Sequence, residues 1–149
     1  MKKKHDTQTA IHGLNGRIKP VKKELPLFQT AVSAGFPSPA DDYIDKNLDI
    51  NELLVKHPAS TFFVRVSGDS MTKAGIQSGD LLIVDRSLEP TDKKIVIAVI
   101  NGELTVKRIR KTKNKLFLVP ENENYPPIEV SEFADFEIWG VVTAVIHWV

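Results

Sequence analysis

Two apolar runs joined by Asn101-Gly102 constrain this chain more than any other feature. On one side stands IVIAVI (Ile95–Ile100), on the other ELTVKRIR (Glu103–Arg110). Asn and Gly both tolerate positive φ, so the dipeptide predicts a two-residue hairpin turn between antiparallel strands. Further short runs rich in β-branched and aromatic residues flank this pair: TFFVRVS (Thr61–Ser67), DLLIVD (Asp80–Asp85), KLFLV (Lys115–Val119) and Phe136–Val149. Gly, Pro, Asn and Asp punctuate the gaps between them. Many short strands with close turns predict a mostly β domain.

The segment before these strands reads differently. Residues 1–30 keep no helical period, and Gly13, Gly16, Pro20 and Pro26 interrupt them. The expectation is an arm, too broken for the helix pair of a helix-turn-helix, so no sequence-specific DNA binding is expected from it. Residues 35–42 read as an extended Pro-rich lead-in, and Tyr43–Val55 as a short helix with Ile44, Leu48, Leu53 and Leu54 apolar. Charge divides along the same line. Residues 1–34 hold seven Lys or Arg against two Asp or Glu, a net +5; the rest holds thirteen against seventeen, a net −4. The basic arm suits an acidic partner or simple solvation.

Composition narrows the function classes. With 42% hydrophobic and 26% charged residues the chain is globular in type. It has no cysteine, which removes disulfides and thiolate metal sites. MKKK is followed by the polar HDTQTAIHGLNG instead of an apolar signal core, and no apolar run approaches membrane-spanning length. The expected location is the cytoplasm, with no membrane partner.

Two stretches carry residues capable of chemistry. SGDSM (Ser67–Met71) follows a predicted strand, and Lys107 lies within ELTVKRIR. A serine hydroxyl needs a base to become a nucleophile. His5, His12, His57 and His147 form no triad pattern. A lysine serves as base if burial lowers its pKa. Strand alternation puts Lys107 on one face with Thr105 and Ile109, giving it an apolar neighbour. The residue types alone favour an ordinary reading: a serine in a Gly-Asp turn, and a solvated strand lysine. A third stretch, AVSAGFPSP (Ala31–Pro39), is made mostly of small residues and is either a linker or a substrate.

Taken in order, SGDSM, GDLLIVDRSL (Gly79–Leu88), ELTVKRI (Glu103–Ile109) and WGVVT (Trp139–Thr143) resemble the LexA/UmuD family of self-cleaving serine peptidases, the peptidase S24 type. AGFPSPADDYI (Ala34–Ile44) and HPAST (His57–Thr61) bring the likeness nearest to UmuD proteins, whereas the arm before Val32 carries little of it. The resemblance implies a single mostly β peptidase domain of short strands, residues 35–149, behind a flexible N-terminal arm, residues 1–34. It implies Ser70 as nucleophile, Lys107 as general base, the backbone N–H groups of Asp69 and Ser70 as oxyanion hole, and Ala34–Gly35 as the bond cut. Gly35 is then expected to make a tight turn that a side chain would forbid. No cofactor and no metal are implied. The implied partners are a second copy of the chain (a homodimer), the RecA filament on single-stranded DNA, and a UmuC-like Y-family polymerase in error-prone synthesis during the SOS response. Three other readings stand beside it: a polymerase accessory module without catalysis, a repressor-type Ser–Lys peptidase, and a signal-peptidase-like enzyme, which would need a membrane anchor.

Overall fold

A computed structural model describes residues 22–28, 31–37 and 44–149. The calls on Lys2–Lys4, on His5 and His12, on Gly13, Gly16 and Pro20, on residues 38–42 of the Pro-rich lead-in and on Tyr43 at the start of the expected helix therefore lie outside the described residues. The chain forms two compact units, the first ending at Asp49 and the second running from Ile50 to Val149. The expected cleavage bond, Ala34–Gly35, falls inside the first.

In the first unit β1 (Glu24–Phe28) pairs antiparallel with β2 (Ile44–Asp49), Glu24 opposite Asp49 and Pro26 opposite Asn47. Pro26 is tolerated because a two-stranded ribbon has only edges, where a missing N–H breaks no central ladder. This corrects two expectations. The segment Glu24–Phe28 is a strand within what reads as an unstructured arm, and Tyr43–Val55 is not one helix. Its first half pairs as β2, and only Ile50–Leu54 is helical (α1). Leu25 and Phe28 of β1 stay exposed, so the ribbon is formed by backbone pairing and buries little apolar surface.

The second unit is built on one sheet. Its strands are β3 (Thr61–Arg65), β4 (Leu81–Asp85), β5 (Ile95–Ile100), β6 (Glu103–Lys111), β7 (Leu116–Val119), β8 (Ile128–Glu129) and β9 (Phe136–Ile146). They lie in the order β3-β4-β9-β5-β6-β7-β8, and every neighbouring pair is antiparallel. The expected strands are all present, β5 with its expected ends, β6 one residue longer and the others trimmed by up to three residues; β8 is an addition. The mostly β fold class is borne out.

The hairpin holds too: Asn101 (φ 50°) and Gly102 (φ 80°) join β5 to β6 with Ile100 opposite Glu103. Apolar residues on both sides of β5 explain its place near the centre of the sheet. Ile97 packs with Val66, Met71, Ile76, Leu82 and Val84, while Val96 and Ala98 pack with Ile109, Leu118 and Val141. Alternate side chains of a strand point to opposite faces, so the sheet is buried on both sides at β5. β9 crosses from β4 to β5 at Gly140. A Cβ there would stand 2.7 Å from Val84 Cγ1 and 3.0 Å from the Asp85 carbonyl oxygen. The glycine of WGVVT is thus required by close approach of a neighbouring backbone.

Candidate active site

Ser70 sits in the loop that follows β3. Val66 anchors the start of this loop: its N–H donates to Asp80 O and its carbonyl accepts from Gly79 N. Gly68 N then donates to Ser78 Oγ. On the far side Met71 and Ile76 are fully buried, and Met71 O accepts from both Ala74 N and Ile76 N. Ser70, half-buried, is therefore held between a strand end and an apolar plug. The segment after β7 braces the loop from outside. Glu121 N donates to Ser70 O, Lys73 N to Glu121 O, Asn122 Nδ2 to Asp69 O, and Tyr125 Oη to Asp69 Oδ1. Arg108 on β6 pairs with Glu121 and so ties this segment back to the sheet.

Lys107 lies in β6, paired across to Val96 of β5, and only 9% of it is exposed. Its Nζ donates to Ser70 Oγ at 2.9 Å, Thr105 Oγ1 at 2.9 Å and Val106 O at 3.0 Å. The alternation that places Thr105 and Lys107 on one strand face is what brings these two side chains together. Burial holds the Lys107 ammonium below its ordinary pKa of 10.5. Among the described residues no carboxylate forms an ion pair with Lys107, which would otherwise favour the charged form. The three acceptors match the three N–H bonds of an ammonium. On losing a proton the amine keeps donors for two of them and offers a lone pair to the third.

Sequence reasoning thus names two side chains, 37 positions apart, that the structure puts in hydrogen-bond contact. Asp69 and Ser70 are adjacent in the loop, and among the described residues neither of their N–H groups donates to a protein acceptor. A depression of about 220 Å³ adjoins Ser70 and Lys107, its apolar wall formed by Val64, Val66, Leu82, Ile97 and Leu104. It suits small apolar side chains. A larger depression of about 450 Å³, lined by Leu53, Leu54, His57, Asp85 and Leu88 among others, contains neither Ser70 nor Lys107. His57 and His147 are each bonded to a carboxylate, Asp85 and Asp80, and neither bonds to Ser70.

Ala34 and Gly35 lie in the exposed stretch Ala31–Pro37 of the first unit, where Gly35 N donates to Ser33 Oγ at 3.3 Å. The expected conformational need for glycine is not met here. Gly35 has no positive φ, and a Cβ would find only Ser33 Oγ, at 4.0 Å.

Residues 26–143 match the Peptidase S24-like family. This chain belongs to that family. The match contains Ser70, Lys107, Ala34 and Gly35, and it begins at Pro26, earlier than the motif likeness reaches. The chain is 47% identical over 129 residues to protein SamA of Salmonella typhimurium, covering 87% of this chain and 89% of SamA. It is 43% identical over 120 residues to protein MucA of Escherichia coli, covering 80% and 82%. It is also 37% identical over 116 residues to the LexA repressor of Paracidovorax citrulli, covering 78% of this chain and 51% of the repressor. The resemblance read from the motifs is borne out at the level of the family, a family of peptidases. Among the described residues no helix is long and apolar enough to cross a membrane.

Asn122, Glu121 and Tyr125 were not singled out from the sequence. They fall in PENENYPP, whose residue types read only as a turn.

Proposed function

We propose that this chain is a self-cleaving serine peptidase that cuts its own Ala34–Gly35 bond, with Ser70 as nucleophile and Lys107 as general base. The observation that carries the reading is the 2.9 Å contact between Lys107 Nζ and Ser70 Oγ at a buried lysine. Neutral Lys107 takes the Ser70 hydroxyl proton as Oγ bonds to the Ala34 carbonyl carbon. The N–H groups of Asp69 and Ser70 receive the oxyanion. Collapse of the tetrahedral intermediate breaks the C–N bond, and Lys107 returns the proton to the departing Gly35 nitrogen. Water, deprotonated by the same amine, then releases Ala34 from Ser70.

Residues 35–149 act afterwards, as a homodimer in the cytoplasm, as the accessory subunit of a UmuC-like Y-family polymerase in SOS mutagenesis. The RecA filament on single-stranded DNA stimulates the cut. Membership of the peptidase family and the extended likeness to SamA and MucA support this reading. Cleavage removes a segment of net charge +5 and leaves a body of −4. The test is intact-mass measurement of the purified chain, with and without activated filament. The expected product begins Gly35-Phe36-Pro37. Ser70→Ala is expected to stay whole and folded, since a partly exposed hydroxyl contributes little stability. A different cut, or a Ser70→Ala variant that trims itself, refutes the assignment. A wild-type chain that never cuts leaves the polymerase accessory module without catalysis.

A further inference from the structure

The bonds that brace the Ser70 loop are not equivalent. Asn122 Nδ2 donates to the carbonyl of Asp69 at 2.8 Å, while Asn122 Oδ1 accepts from Asn124 N at 3.0 Å. Both ends of the amide are therefore engaged, and its donor end is fixed on one peptide group. That group joins Asp69 to Ser70. In a trans peptide the carbonyl and the following N–H point in opposite directions. Holding the Asp69 carbonyl toward Asn122 therefore turns the Ser70 N–H away from Asn122. The next peptide is pinned likewise, by Glu121 N on the Ser70 carbonyl. Tyr125 Oη holds the Asp69 side chain, and hydrogen bonding to that carboxylate pushes the phenol pKa up.

We propose that Asn122 is a positioning residue for the oxyanion hole: by tethering the Asp69 carbonyl it sets the direction of the Ser70 N–H that receives developing negative charge. This rests on the self-cleavage reading above. Without the tether the Asp69–Ser70 peptide sits in an exposed loop with no other bond to its carbonyl among the described residues. Only the bonds on either side of it, from Tyr125 Oη and Glu121 N, then limit its rotation, and the preorganisation that makes such a donor effective is weakened. Asn122 reaches neither Ser70 Oγ nor Lys107, so its removal leaves the nucleophile–base contact in place.

The test is spontaneous self-cleavage of the full chain across pH for wild type, Asn122→Ala and Asn122→Asp, with melting curves of each. Asn122→Asp keeps the acceptor for Asn124 N but replaces the N–H by a carboxylate oxygen and adds a negative charge; Asn122→Ala removes the N–H without adding charge. Both are expected to cut about a hundredfold more slowly at every pH, the lower end of what loss of one oxyanion donor costs. The pH at which the rate levels off is expected to match wild type in Asn122→Ala, because that substitution adds no charge near Lys107. A wild-type rate in either variant overturns the proposal. So does a shifted pH profile in Asn122→Ala, which would mean action through Lys107. Slowing in Asn122→Asp alone overturns it as well, since charge would then be the cause. A rate regained on cooling below a lowered melting point would reduce Asn122 to a structural role and also overturn it. An inactive wild-type chain refutes the self-cleavage reading itself, and this inference with it.

Discussion

Lys107 gives the sharpest test of the chemistry, because its three bonds and its burial pull in opposite directions. An ordinary lysine with a pKa of 10.5 is neutral in about one molecule in 3,000 at pH 7. Donation to Ser70 Oγ, Thr105 Oγ1 and Val106 O favours the ammonium, and desolvation disfavours it. Desolvation prevails, so the pKa is lowered. The neutral fraction grows tenfold with each pH unit until that lowered pKa is reached, and a base-limited rate grows with it. Filament-free self-cleavage, followed by intact mass from about pH 6 to 11, is therefore expected to rise with unit slope in log rate. It is expected to level off before pH 10.5, the ordinary lysine value. Lys107→Arg is expected to be inactive throughout, because a guanidinium stays protonated over the whole range. A flat profile or an active Lys107→Arg shows that Lys107 is not the base. A break at or above 10.5 keeps the base but refutes burial as the means of tuning it.

Gly140→Ala places a methyl 2.7 Å from Val84 Cγ1 and 3.0 Å from the Asp85 carbonyl, and is expected to destabilise the second unit by about 1–3 kcal/mol. Calorimetry should show the melting point falling by about 4–8 °C per kcal/mol, and an unchanged or higher value refutes the close approach. Asp85 accepts from Ser87 N and Oγ, Ser60 Oγ and His57 Nδ1, and these bonds, Ser87 first, hold its carboxyl well below the usual carboxylate range. A lowered carboxylate pKa contributes stability above the unfolded value of 3.8 that is lost as pH falls beneath it. Asp85→Asn is therefore expected to melt lower than wild type at pH 7, with the gap closing in acid; a gap that ignores pH counts against the ionised network. Gly35→Ala is expected to leave the melting curve unchanged, since a Cβ has room there, but to slow self-cleavage; equal cleavage rates would show that the cut needs no glycine.

The strands that the sequence disclosed are those whose side chains decide their fate. IVIAVI buries residues on both faces, and Asn101-Gly102 specifies its turn by φ alone, so neither needs long-range information. β1 and β2 are the opposite case. ELPLF holds a proline and IDKNLD is mostly polar, and each is a strand only because the other pairs with it. A propensity reading of Ile44–Asp49 saw the apolar spacing and continued the helix that begins at Ile50. The site divides in the same way. Alternation within β6 discloses that Lys107 shares a face with Thr105, but its pairing with Ser70 was legible only through the motif resemblance. Asn122 and Tyr125 were not, because they meet Asp69 across 53 and 56 positions of chain, through contacts made by turn residues.

That division has a mechanical consequence. Lys107 is carried by β6, where it pairs with Val96 of β5 one residue before the pairing with β7 begins at Arg108, so its position is tied to the sheet. Ser70 is carried by a loop, and its position depends on a buried plug, Met71, and on hydrogen bonds from one outside segment. Cores are close-packed and resist small displacement, whereas an exposed loop held by a few polar bonds opens locally at far lower cost. The proposed base is thus carried by the sheet and the proposed nucleophile by a loop outside it. Alignment of the serine, and of the N–H groups beside it, is the adjustable part of this site. On the self-cleavage proposal, a partner that favours one arrangement of this loop would change the rate without supplying any catalytic group, by population shift.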